Sequence, residues 1–126
     1  MKMVHLDDPR TKVWKEVGDL SEVDLAANQV LLGIYQRPEK TASGLYLADQ
    51  TRKEDEHQGK VGLVLKLGPQ AFVDDDKVTF PWKAEVGDWV TTWVVDGRKV
   101  GINKALCRVV TDEQIRMRVT TPDMIW

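Results

Sequence analysis

The chain is poor in the residues that most often carry chemistry. It has one cysteine, Cys107, so no disulfide can form within it, and a lone thiol on an apolar strand suits a reducing cytoplasm. Histidine is almost as scarce. His5 and His57 lie in polar stretches, with no second ligand at a zinc-binding spacing and no pairing with Cys107, so both read as surface side chains. Positive charge is not in excess: 18 Lys and Arg stand against 20 Asp and Glu, a net −2, which leaves no electrostatic footprint for nucleic acid. Long apolar runs are missing too. The longest clean one, Val30 to Tyr35, is far short of the roughly 20 residues of a membrane span. The first residues, Met1 to Pro9, are acidic and broken, with no core of a secretion signal. Neither a Gly-rich phosphate loop nor a nucleophile elbow occurs. These absences predict a soluble, cytoplasmic, non-enzymatic domain that needs no metal or cofactor and has neither nucleic acid nor membrane as partner.

What is present is a succession of short strands. At 126 residues one domain with a real core is expected. Residues 1–27 are mixed: Val13, Val17 and Leu20 have near-helical spacing around Gly18, which suggests a short helix or an extended arm. Strand pattern begins at Asn28, with Val30 to Tyr35 apolar on both sides. It returns at Gly59, where Val61, Leu63, Leu65 and Leu67 alternate with Gly62, Val64 and Lys66. Residues 70–85 place apolar flanks around Asp74-Asp75-Asp76 and suggest a surface hairpin or excursion. Consecutive carboxylates in a hairpin point different ways, so the tip is a solvated one and no calcium loop. Trp89 to Val95 is rich in β-branched and aromatic residues, and Asp96-Gly97 predicts a tight hairpin turn with Val100 and Ile102 on the return. Leu106 to Val110 and Ile115 to Val119 complete the series. Turn signals every eight to twelve residues, with little helical pattern, predict a small all-β barrel. The expected organisation is an N-terminal extension (1–27), the barrel (28–119) and a C-terminal tail (120–126), with both ends acting as arms.

One stretch does not fit a barrel core. Between residues 39 and 58, a polar and charged segment carries Leu45-Tyr46-Leu47 behind Ser43-Gly44. In an extended chain Leu45 and Leu47 project to one side and Tyr46 to the other. The tripeptide is either a strand on the protein's own barrel or apolar surface kept for a partner's groove. Thr41-Ala42-Ser43-Gly44 and the charged run Thr51 to His57 offer little to hold such a loop in place.

From Asn28 to about Val119 the ordered features resemble the GroES co-chaperonin family. Arg37-Pro38-Glu39-Lys40-Thr41 ends the first strand. Ser43-Gly44-Leu45-Tyr46-Leu47 is similar to the hydrophobic stretch of the family's mobile loop, and Gln58 to Val64 to the strand that closes it. Leu67-Gly68-Pro69, Val86-Gly87-Asp88-Trp89-Val90 and Asp112-Glu113-Gln114-Ile115 match later landmarks. The resemblance implies a GroES-like barrel with a long mobile loop and a short roof-like hairpin. It also implies a seven-membered homo-oligomeric ring that caps a nucleotide-bound GroEL-type chaperonin, with Ser43, Gly44, Leu45, Tyr46 and Leu47 as the binding residues. Terminal strands pair between neighbours in that family. Val30, Leu32 and Ile34 on one candidate edge, and Ile115, Met117 and Val119 on the other, are therefore the expected subunit interface. The N-terminal extension, the aromatic Tyr46 and the Pro122–Trp126 tail resemble variants encoded by tailed bacteriophages, whose client is a capsid protein. A different class stays open: a virion cement or decoration protein on the same barrel, with the major capsid protein as partner. The medium-chain dehydrogenases share the barrel, but their dinucleotide motif, their Cys/His ligands and room for their second domain are all missing here.

Overall fold

The structure, a computed structural model, describes residues 8–37 and 60–125. Its elements in order are helix α1 (Pro9–Val17) and strands β1 (Gln29–Ile34), β2 (Val61–Leu67), β3 (Trp89–Thr91), β4 (Arg98–Ile102), β5 (Ala105–Thr111) and β6 (Met117–Val119). Short 3-10 turns at Asp112–Gln114 and Pro122–Met124 flank β6. The strands form one antiparallel sheet of six, in the order β4-β5-β1-β2-β3-β6. The small all-β fold expected from the strand pattern is what the chain adopts, and it is consistent with the GroES-like fold that the resemblance implies.

β1 is apolar on both faces because it lies in the middle with both faces covered. Leu31 and Tyr35 belong to one core with Val61, Leu63, Leu65, Trp89 and Cys107. Val30 and Leu32 belong to a second core with Val64, Phe72, Val90, Val110 and Ile115. Successive side chains of a strand alternate between faces, so one short strand feeds both cores. A bulge in β2 adjusts the geometry: Leu31 pairs with Lys66 and Leu32 with Val64, which leaves Leu65 as the extra residue. Leu65 enters the first core, and the Lys66 ammonium donates to Leu20 O at 2.8 Å.

The first core is roofed by α1. Asp8 caps the helix by accepting from Thr11 N at 3.2 Å, Pro9 occupies the first turn, and Gly18 ends it at φ 70°. Val13, Val17 and Leu20 are buried against the sheet, the two valines contributing about 1.5–3 kcal/mol each. The helix sits this close because Gly33 lacks a side chain; a Cβ there would collide with Val13 Cγ1. The β4–β5 hairpin, with Asn103 in the left-handed region at φ 52°, satisfies the end of the helix. Lys104 N donates to Glu16 O at 3.1 Å and Asn103 Nδ2 to Val17 O at 2.6 Å. Of the short helix and the extended arm expected within residues 1–27, the helix forms, and Val13, Val17 and Leu20 complete the core. The tail is engaged as well: Pro122 is buried, and Tyr35 Oη donates to Asp123 Oδ1 at 2.5 Å.

The second core is covered by residues 70–84. This is an excursion without strands, so the roof-like hairpin is not formed. The reason is local competition for backbone donors. Asp75 Oδ1 accepts from Lys77 N and Val78 N, both at 2.8 Å, and Asp74 Oδ1 from Phe80 N at 2.9 Å. Those N–H groups are then lost to any cross-strand ladder. Phe72 is buried and meets Phe80 edge-to-face, with ring centroids 5.2 Å apart.

Candidate partner interfaces

The sequence-predicted binding residues Ser43, Gly44, Leu45, Tyr46 and Leu47 lie outside the described residues, as do His5 and His57. What the structure does define is the stem from which segment 38–59 departs and to which it returns. Ile34 pairs with Gly62 across β1 and β2, and Tyr35 N donates to Val61 O at 2.9 Å. The two ends of the segment are thus held side by side on the central strands. Below them the Tyr35 ring meets Trp89 edge-to-face at 5.6 Å, and its hydroxyl is fixed by Asp123 from the tail. The base of the segment is a packed, hydrogen-bonded platform.

The expected subunit edges divide differently. β1 is paired on both sides, with β2 and with β5, so it offers no open edge. Val30 and Leu32 are buried inside the single chain and Ile34 is partly covered; the expectation that they form an edge is corrected. A strand apolar on both faces is what a central position demands. Ile115 precedes β6 and is buried in the second core. Met117, 44% exposed, and the half-buried Val119 do lie on an edge, because among the described residues β6 pairs with β3 alone. The other edge is β4. The sequence reading made it the partner of Trp89–Val95 across Asp96-Gly97, yet β4 pairs with β5 and β3 stops at Thr91. Asn103 marks the true hairpin turn; Gly97 instead lets the backbone pass where a Cβ would run into Val109 O and Val110.

Between β3 and β4 stands a feature the strand pattern concealed. Trp93, Val94 and Val95 are 60%, 49% and 87% exposed, on a turn tied down from several sides. Arg108, 2% exposed on β5, donates from Nη1 to Trp93 O at 3.2 Å and Val94 O at 3.1 Å. Asp96 Oδ2 accepts from Trp93 N at 3.2 Å and pairs with Arg116 at 3.8 Å. The Arg116 guanidinium lies 5.6 Å from the centre of the Trp93 ring. Burial draws the pKa of Arg108 down, while Asp96 opposes that shift. Arg108 looks like an ordinary strand residue in the sequence; an arginine inside a valine-rich strand was the available signal.

Other candidate chemistry is subdued. Burial pushes the Cys107 thiol up to about 11, which keeps it protonated at neutral pH. Asp112 is buried, but its oxygens already accept from Asn28 Nδ2 at 2.9 Å and Phe72 N at 3.0 Å. No helix among the described residues is long and apolar enough to cross a membrane.

Together these features define an all-β module in which a packed, hydrogen-bonded platform anchors the two ends of segment 38–59, and β4 and β6 lie at the ends of the sheet among the described residues. A comparison with protein families makes the class specific. The model of the chaperonin 10 kd subunit family matches residues 22–118, more than half of the chain, and the chain belongs to that family. Membership implies co-chaperonin function with a GroEL-type chaperonin. No curated protein matches the sequence.

Proposed function

We propose that the chain caps a GroEL-type chaperonin ring by inserting Leu45 and Leu47 into apical grooves, with Ser43-Gly44 giving the approach and Tyr46 facing away. The observation that carries this reading is the family match across residues 22–118, which includes the Leu45-Tyr46-Leu47 segment and both of its anchoring strands. The energetics require several copies. Two buried leucines contribute roughly 3–6 kcal/mol, and ordering a segment on binding costs on the order of 2–5 kcal/mol. One loop alone binds weakly, whereas a ring of loops facing a ring of grooves makes the later contacts effectively intramolecular. A homo-oligomeric ring, seven-membered in the family pattern, follows, with the β6 edge at Met117 and Val119 as a subunit contact. On this reading the protein works in the cytoplasm, and a phage capsid protein is a fitting client. The shell-protein reading drew its support from free arms, and α1 and Ile125 pack against the chain's own first core.

The test is the double variant Leu45→Ser/Leu47→Ser, assayed by native mass spectrometry alone and with GroEL plus nucleotide. The expected outcome is an intact homo-oligomer that no longer joins the chaperonin. Wild-type complex formation by the variant would overturn the assignment of the loop.

A further inference from the structure

We propose that the Trp93-Val94-Val95 turn is a preformed docking knob for an extended polypeptide segment that mixes large apolar side chains with carboxylates. Three consecutive apolar side chains face solvent here, on a backbone that side chains bond in place. Holding it in place takes a buried guanidinium on two carbonyls, an Asp96 cap on Trp93 N and a glycine at φ 73°. None of these bonds draws Trp93, Val94 or Val95 inward. They fix the backbone and leave the side chains out, which removes in advance the ordering cost that binding would otherwise incur.

The surroundings choose the partner's chemistry. Arg98 and Lys99, both exposed, follow the turn directly, and Arg116 stacks on Trp93. The acid of the turn, Asp96, faces Arg116 and is capped onto Trp93 N. An apolar knob with a cationic collar attracts carboxylates and repels lysine and arginine. Trp and Arg are also the side chains that most often dominate binding energy once desolvated. This surface shares no residue with the Ser43–Leu47 segment proposed to bind the chaperonin.

The experiment uses the full-length assembled protein and two fluorescein-labelled peptides. One alternates Leu and Phe with Glu, and the other has Lys in place of Glu; binding is read by fluorescence anisotropy. The Glu peptide should bind roughly tenfold or more tightly than the Lys peptide. Trp93→Ser/Val95→Ser should weaken it by about tenfold or more, and Arg98→Glu/Lys99→Glu should reverse the preference. Thermal melts check that both variants stay folded, which their exposed positions favour. Equal binding of the two peptides, or undiminished binding by the double-serine variant, would overturn the proposal. So would a change of oligomeric state in that variant with peptide binding intact, since the turn would then belong to a subunit contact. Leu45→Ser/Leu47→Ser should bind the Glu peptide normally while losing the chaperonin, so the two readings fail separately.

Discussion

Two loops of this protein use the same device for opposite ends. The excursion at residues 70–84 and the turn at 93–97 are both irregular, both rich in large apolar residues, and both pinned by side chains bonded to backbone. In the excursion, Asp74, Asp75 and Asp112 hold a chain whose aromatic residues turn down onto the sheet, with Phe72 buried. In the turn, Asp96 and Arg108 hold a chain whose aromatic residue faces out. Polar bonds decide the backbone path in each; the direction of the apolar side chains decides whether the loop belongs to the core or to the surface.

That contrast breaks first at the aromatic residues themselves. Phe72→Ala removes a ring that roofs the second core and should cost about 3–5 kcal/mol in chemical denaturation. Trp93→Ser, by the same measurement, should shift stability by no more than about 0.5 kcal/mol. Comparable losses from both would mean that the turn is part of the core after all. Next in size is Arg108→Met, which takes away the donor to Trp93 O and Val94 O. A loss of about 1–3 kcal/mol is expected, with faster hydrogen exchange confined to the amides of residues 93–97. Smallest is an effect of acid on the excursion. The N–H of Phe80, and then Lys83, hold the Asp74 carboxyl below its ordinary range. A carboxylate with a lowered folded pKa gives stability that is present above its unfolded pKa and fades as pH falls through the folded one. Amide exchange at Phe80 should therefore quicken, relative to the strands, as pH drops below the ordinary aspartate range, and Asp74→Asn should flatten that dependence.

The strands were legible in the sequence because alternation and turn residues are local signals. Val61 to Leu67 and Leu106 to Val110 fall within β2 and β5. The partners of those strands were not legible. Asp96-Gly97 has the composition of a hairpin turn, yet its glycine answers to a close approach by Val109 and Val110, which are distant along the chain. Val30 and Leu32 carried the right information, apolar side chains on both faces, but an edge and a centre differ in their neighbours rather than in their own residues. The helix was visible only as the spacing of Val13, Val17 and Leu20. Whether that stripe was an arm or a roof depended on Gly33, sixteen residues beyond its last turn, which leaves room for Val13.

By itself, then, the sequence determined the all-β class, the position of most strands and the order of landmarks shared with the chaperonin 10 kd subunit family. These rest on period, turn chemistry and motif order, all of which act over a few residues. The tertiary structure alone decided that β1 is central, that β4 and β6 end the sheet among the described residues, and that Arg108 fixes the backbone of the exposed Trp93. Those outcomes arise when strands far apart in the chain compete for the same hydrogen-bonding edges and the same two cores. That competition has no local signature.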